Sequence, residues 1–589
     1  MRRIIVATAV AMVAAPAWPQ DVEPTDTIIV TATRTEIPLE DAIVPVDVIT
    51  RDDINLSLAS DLAELLRFEA GIDIGRNGGP GQATSIFMRG TESNHTLVLI
   101  DGIRINPGTI GGAAIQNIAP EMIERVEIVK GTRSSLFGTD AIGGVINIIT
   151  RRSEPVYGEA SLGGGSFDTQ SANIALGSTG DRGEFGLSAN YNSTAGFPPS
   201  VDSDIDRGYD NTTINLHGGI NVGRGFIGLR HWSATGNTEY LDFFLAPLDQ
   251  DFENRSTAIE WQSSFTDALE SRLLLGHMAD EISQNQSEDF VESTRNSVDW
   301  QLSYTTDAHL ITGGLYYVDE DASSLSFGSG FSENTRTSAV FLQDQWSRDR
   351  HRAFVAVRYT DHEAFGGQTT WNAEYAFSLN EDWTLQAGLG RAFRAPDATD
   401  RFGFGGDPDL LPEIASEMLV GLRYRPAGRH TVSLELYHKD IDDLIEFDLD
   451  TFALRNIARA EIRGAELTWD FRGDGFSVRT TLVKQSARNP LDDSRLLRRA
   501  EESATISATR DIGRHRVGLS MLASGDRKDF GDTRLPGYAL VNLTGQLAIG
   551  DTLRLNARIE NLFDRDYQTA AGFRMQGISA FAELRFAWR

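Results

Sequence analysis

The chain has no cysteine in 589 residues, which excludes a disulfide framework, a thiolate metal site and a cysteine nucleophile. Positive charge is scarce: 54 Lys and Arg face 84 Asp and Glu, a net charge of −30 at pH 7. Such a chain is repelled by phosphate backbones, so no nucleic-acid partner is expected. Beyond the first 20 residues there is no apolar run of about 18 residues, and no transmembrane helix is expected. "GRNGGPG" lacks the Gly-Lys-Ser/Thr of a phosphate loop, "GGGSFDT" lacks nucleophile-elbow spacing, and no His-Glu-x-x-His occurs. The ten histidines show no ligand spacing, and His95, beside an apolar strand, reads as structural. With no nucleophile placed near a base, the chain is not expected to be an enzyme.

What is present starts with a leader. Arg2 and Arg3 precede an apolar stretch at 4–15, and Ala15, Pro16 and Ala17 supply small residues for cleavage. Residues 1–20 read as a secretory signal peptide cut somewhere between 17 and 20. An exported chain without a helical span is either soluble or a β-barrel, because only helices and closed barrels satisfy every backbone group in a bilayer.

The remainder divides into two regions of different character. Residues 40–152 read as a mixed α/β domain. "SLASDLAELLRFEAGIDI" carries Leu58, Leu62, Leu65 and Leu66 at helical spacing, with Ser60 or Asp61 as cap and Gly71 as terminator. "HTLVLIDGIRIN" predicts two strands joined by an Asp101-Gly102 turn, and "ERVEIVKG" and "GGVINIIT" predict two more.

Residues 153–589 alternate instead. In "TLRLNARIEN", Leu553, Leu555, Ala557 and Ile559 oppose Arg554, Asn556, Arg558 and Glu560. In the terminal strand Ile578, Ala580, Ala582, Leu584, Phe586 and Trp588 oppose Ser579, Glu583 and Arg585. A charged face in one strand after another suits a wet lumen, and aromatic strand ends suit a membrane girdle. At roughly 20 residues per strand and connection, the region predicts about 22 antiparallel strands. A barrel that wide needs a stopper, and the α/β domain ahead of it is the natural plug. That arrangement leaves "DTIIVTATR", a short β-prone stretch at residues 26–34, at the periplasmic mouth, where a partner could capture it by strand addition.

These stretches resemble a known family. "DTIIVTATR" is similar to the TonB box of TonB-dependent outer-membrane receptors. "SIFMRGTESNHTLVLIDGIRIN" and "IERVEIVKGTRSSLFGTDAIGGVINIITRR" resemble its plug signatures, and "ARIENLFDRDYQTAAGF" its carboxy-terminal barrel motif. "FRAPDATDRFGFGGDPDLLPE" and "SRLLRRAEES" look like segments of the family's cobalamin (vitamin B12) receptors. The resemblance implies a box at Asp26, Thr27, Ile28, Ile29, Val30, Thr31 and Ala32, within a linker at 21–39, that binds TonB. It also implies a monomer embedded in outer-membrane lipid that imports a corrinoid. A siderophore, haem or another metal chelate is the alternative cargo.

In "PPSVDSDIDRGYDN", Asp202, Asp204 and Asp206 alternate, so on an extended segment their carboxylates share one side; this marks either a Ca²⁺ site or a solvated acidic loop. The resemblance favours calcium and adds Tyr240, Asp242 and Asp249 from the next extracellular loop. It also implies cargo contacts at Ala83, Ser85, Glu92, Ile110 and Gly111 on the plug, and at Arg498 and Phe530 on the barrel. The other reading of Arg498 is a lumen residue paired with Glu501 or Glu502.

Overall fold

The computed structural model describes residues 29–30, 33–35, 37–43, 46–151, 156–326, 328–426, 428–448, 451–457 and 459–588. Twenty-two antiparallel strands form a closed barrel, from Val156–Gly165 to Ser579–Trp588. Closure joins the first strand to the last, with Gly158 opposite Trp588. A side chain at Gly158 would collide with the indole, its Cβ lying 2.1 Å from the Trp588 ring, so glycine there lets the seam close.

Alternation sets what each strand face meets, and its sense is inverted relative to a soluble sandwich. In Leu553–Glu560 the apolar Leu555, Ala557 and Ile559 are exposed, whereas Asn556, Arg558 and Glu560 are buried. The final strand likewise turns Leu584, Phe586 and Trp588 outward and buries Glu583 and Arg585. Apolar residues on the outside and ions on the inside are stable only when lipid surrounds the wall. No helix among the described residues is long and apolar enough to cross a membrane.

The lumen holds the plug, whose five-stranded sheet runs in the order Val46–Thr50, Ile123–Lys130, Gly144–Thr150, Thr96–Ile100 and Ile103–Arg104. Thr96–Ile100 pairs parallel to Gly144–Thr150, and the strand before the turn is wholly buried. The Asp101-Gly102 turn forms as expected, both residues at positive φ.

The helical region departs from expectation. One helix is expected here, capped at Ser60 or Asp61 and ended by Gly71; there are two short ones, Arg51–Ser57 and Leu62–Leu66, and Leu58 falls between them. Thr50 caps the first in a reciprocal box with Asp53, and Leu58, at φ 49°, ends it in the left-handed conformation. Of the two cap candidates, Asp61 does the capping, its carboxylate accepting the Glu64 N–H at 2.9 Å. Leu62, Leu65 and Leu66 are therefore buried by the second helix alone, while Leu58, only partly buried, closes the first.

Ions fix the plug to the wall. Arg89 reaches Glu435 at 2.5 Å and Glu466 at 3.3 Å, and its guanidinium lies 4.7 Å over the Tyr437 ring. Lys130 bridges Glu466 at 2.6 Å and Asp47 at 2.9 Å, and Arg133 meets Glu374 at 2.8 Å. Burial alone would raise the Asp47 carboxyl, but Lys130 and Arg479 together hold it well below the usual carboxylate range. Charges in water are cheap to separate, whereas these are desolvated, so losing one member strands its partner.

Candidate functional site

Three plug segments rise toward the extracellular loops. The hairpin of Ile72–Arg76 and Thr84–Met88 carries Ala83, exposed, at the end of its connecting loop, and Ser85 opposite Gly75. The turn at 90–95 carries Glu92. The loop after Ile103–Arg104 carries Ile110, 48% exposed, and Gly111, whose carbonyl accepts from Asn106 Nδ2 at 2.8 Å. A Cβ on Gly111 would lie 2.9 Å from the Asp397 carboxylate, so this loop packs directly under the extracellular helix Ala398–Phe402. The N–H groups of Ala398 and Thr399 donate to the carbonyls of Gly108 and Thr109, both at 2.9 Å.

Arg498 and Phe530 are brought together, the guanidinium lying 5.3 Å from the ring centroid. Arg498 does not pair with Glu501 or Glu502: its Nε donates to Asp529 at 3.0 Å, and Glu501 is taken by Arg488 and Arg495. Asp529 is fully buried and also accepts from the N–H groups of Phe530 and Ala571, which fixes the Arg498 side chain from below. Phe530 itself remains 43% exposed. Gly75 faces the same arginine: its Cβ position is 3.9 Å from Arg498 Cδ.

The neighbouring Arg499 was missed in the sequence. It forms the ion pair with Glu92, donates to the carbonyls of Gly90 and Thr91, and stacks 4.7 Å over Phe87. Nothing in "LLRRAEE" says which arginine faces the plug, because a loop gives no strand alternation. Glu446, in the extracellular strand Ile445–Asp448, belongs to the same cluster. Burial first, and then the negative charge of Glu92, push its carboxyl up to about 7 against the pull of Arg499. His95, expected to be structural, is fully buried, with Nδ1 accepting the Glu92 N–H at 3.2 Å and Nε2 at 3.0 Å from Glu413.

The acidic residues take a different arrangement. Residues 201–206 are not an extended strand, and Asp202, Asp204 and Asp206 are exposed. The Asp204 carboxylate lies 3.6 Å from Arg574. Asp242 accepts the N–H groups of Phe244 and Ala246 in its own turn, Asp249 accepts from Asn237, Asn285 and Gln286, and the Tyr240 hydroxyl donates to Gln284. Among the described residues the carboxylate and imidazole atoms that converge within 4.8 Å belong elsewhere, to His438, Asp440 and Glu461. That trio, hidden in the sequence because it joins two strands, is already neutralised by Arg459 on Asp440 and Arg463 on Glu461.

At the opposite mouth, Ile29–Val30 pairs antiparallel with Ile37–Pro38. Asp26, Thr27, Ile28, Thr31 and Ala32 lie outside the described residues, as does the leader. The chain after this strand is held by the wall: Gln343 Nε2 donates to the Thr33 carbonyl at 2.8 Å and Gln345 Nε2 to the Thr35 hydroxyl at 2.6 Å. Arg34 pairs with Asp299 and donates to the Leu136 carbonyl at 2.6 Å.

A barrel of 22 strands filled by a plug, with a polar cluster beneath the loops at one mouth and a tethered strand at the other, is the architecture of an outer-membrane receptor. The comparisons agree. Residues 38–145 match the TonB-dependent receptor plug domain and residues 152–562 the TonB dependent receptor-like β-barrel. The chain belongs to the TonB-dependent receptors and is an outer-membrane protein. It is 29% identical over 613 aligned residues, covering 100% of both chains, to the vitamin B12 transporter BtuB of Photobacterium profundum. Solved structures share the fold. The FrpB iron transporter of Neisseria meningitidis superposes with a TM-score of 0.80 at 13% identity, covering 92% of this chain and 99% of its own. A ferric enterobactin receptor of Pseudomonas aeruginosa, PfeA, bound to enterobactin, gives 0.80 at 16% identity with coverages of 92% and 99%.

Proposed function

We propose that this receptor imports cobalamin or a related corrinoid, and that TonB drives import by pairing with residues 26–32. The observation that carries this reading is the end-to-end similarity to a vitamin B12 transporter. The cluster around Arg498 supports it chemically. A flat exposed ring, Phe530, offers an apolar face, and the guanidinium beside it offers donors to the amide fringe of a corrin ring. The Arg499–Glu92 pair adds a donor and an acceptor a few residues away.

Calcium belongs to the same proposal. Asp202, Asp204, Asp206, Tyr240, Asp242 and Asp249 are an all-oxygen donor set on two adjacent extracellular loops, the chemistry a hard cation needs. These side chains do not converge in the structure, Asp204 lying against Arg574, so a cation would have to draw the two loops together, which would favour the arrangement that closes over cargo.

Equilibrium binding of labelled cyanocobalamin to the purified receptor, in calcium and in chelator, tests both parts. Saturable binding that weakens at least tenfold in chelator is expected. Equal affinity in both buffers removes calcium from the account. Failure to bind, together with binding of a ferric siderophore, reassigns the cargo.

A further inference from the structure

Between the plug and the wall, roofed by the helix Ala398–Phe402, lies a cavity of about 70 Å³. Most of the charges around it are matched. Arg104 pairs with Asp140 and Glu320 with Arg295, while Arg394 holds Asp397 at 2.7 Å and Asp400 at 2.5 Å. Arg358 and Arg401 form no ion pair among the described residues, although Glu333, the acidic neighbour of Arg401, shares the lining. Arg358 is 1% exposed, its Nε donates to the Thr360 hydroxyl at 3.0 Å, and its guanidinium lies 5.0 Å over the Tyr316 ring. Nη1 is buried with no hydrogen-bond partner, and among the described residues no carboxylate forms an ion pair with it. Asp299, its acidic electrostatic neighbour, is engaged by Arg34.

A second guanidinium lines the same space. Arg401 stacks on Phe365 and Phe402 at 5.2 Å and 4.4 Å, and its Nε is also buried without a partner. Buried polar groups are almost always hydrogen-bonded, and an unpaired buried cation is costlier still. The hydroxyls of Thr337 and Thr360 complete the lining, that of Thr139 being spent on the Asp140 carboxylate at 2.7 Å. Two arginines with spare N–H groups and two hydroxyls select an oxyanion, because a guanidinium fork matches two oxygens of a phosphate group.

We propose that Arg358 is the centre of an internal oxyanion site on the lumen wall that takes a phosphate-class group. The occupant is either the phosphodiester of the cargo as it passes the plug or free phosphate; the first alternative rests on the corrinoid reading, the second does not. The plug residues Pro107, Gly138 and Thr139 and the loop residues Pro396 and Arg401 all border the cavity, so cargo moving from the loops past the plug meets it.

The test uses the full-length receptor in detergent. Calorimetric titration with sodium phosphate should show saturable binding that weakens at least tenfold in R358Q and recovers only in part in R358K, which keeps the charge but loses the fork, with heat-modifiable gel migration confirming that each variant is folded. Absence of saturable binding in the native receptor, or equal binding by R358Q, overturns the proposal. Uptake by cells then identifies the source, comparing cobalamin with cobinamide, a corrinoid without the phosphodiester. Loss of at least fivefold in cobalamin uptake by R358Q, with cobinamide unchanged, assigns the site to the cargo; equal uptake of both assigns it to free phosphate. A receptor that binds phosphate through Arg358 but neither corrinoid keeps the site and loses the cargo reading.

Discussion

Arg34 and Asp299 form an ion pair that joins the amino-terminal segment to the inner wall of the barrel, with the guanidinium 4.4 Å over the Phe341 ring and 5.7 Å from that of Phe137. Phe137 belongs to the plug and Phe341 to the wall, so one side chain ties three parts of the molecule together. The segment it anchors follows the strand Ile29–Val30 in the chain.

Arg34→Ala should free that segment. Removing one member of a buried pair costs on the order of 3 kcal/mol, enough to raise the detached population about a hundredfold. A spin label at Thr33 should sharpen from a restrained to a mobile spectrum without cargo, and Asp299→Asn should reproduce the change. Identical spectra in all three proteins would show that the pair does not tether the segment.

Strand capture by a partner needs extended backbone with free N–H groups. Ile29→Pro removes one donor and restricts the residue before it, so uptake should fall to background while cargo affinity stays within twofold of the native value. Unimpaired uptake in this variant removes the box from the mechanism.

The architecture was legible in the sequence because period-two alternation survives whatever surrounds a strand: Leu555 and Arg558 alternate whether the outside is water or lipid. Charge on one face and aromatics at the ends distinguished the two environments. The site was less legible for two reasons. Ion pairs such as Arg499–Glu92 and Arg89–Glu435 join residues hundreds of positions apart, and no local pattern encodes them. The alternating aspartates at 202, 204 and 206 imply a shared side only on an extended segment, and here the backbone turns. Leu58 misled for a related reason, since helical spacing continued across a break that only its left-handed φ reveals.

Glu446 makes the extracellular cluster sensitive to pH. Its carboxyl is pushed up to about 7 in the folded protein from an ordinary 4.5, by burial and then by Glu92. A carboxyl raised on folding binds its proton more tightly in the folded state, so the loop's docking is fully favoured below about 4.5 and loses stability as pH rises through 7. A fluorophore at Thr451, at the exposed tip of the hairpin, should gain rotational freedom between pH 5 and 8 in the native receptor. In Glu446→Gln the anisotropy should be flat over that range; a slope equal to the native one would place the titrating group elsewhere.

Arg89 tests how the plug is held. It sits at φ 48°, its N–H donating to the Gly71 carbonyl at 2.7 Å, so backbone and side chain are both committed. Arg89→Ala leaves Glu435 and Glu466 facing one another in a desolvated lumen, with Glu466 still paired to Lys130 but Glu435 stripped of its ion pair. Stranding buried carboxylates in this way costs about 3–5 kcal/mol, and the barrel wall, whose strands do not depend on the plug for their ladder, should be unaffected. Amide exchange in the plug strand Gly144–Thr150 should therefore accelerate about a hundredfold or more, at 1.4 kcal/mol per tenfold, while exchange in Leu553–Glu560 stays at its native rate. Arg89→Ala combined with Glu435→Gln and Glu466→Gln removes the stranded charge and should recover much of the loss. If the triple variant exchanges as fast as the single one, packing of the guanidinium against Tyr437 holds the plug, and charge does not.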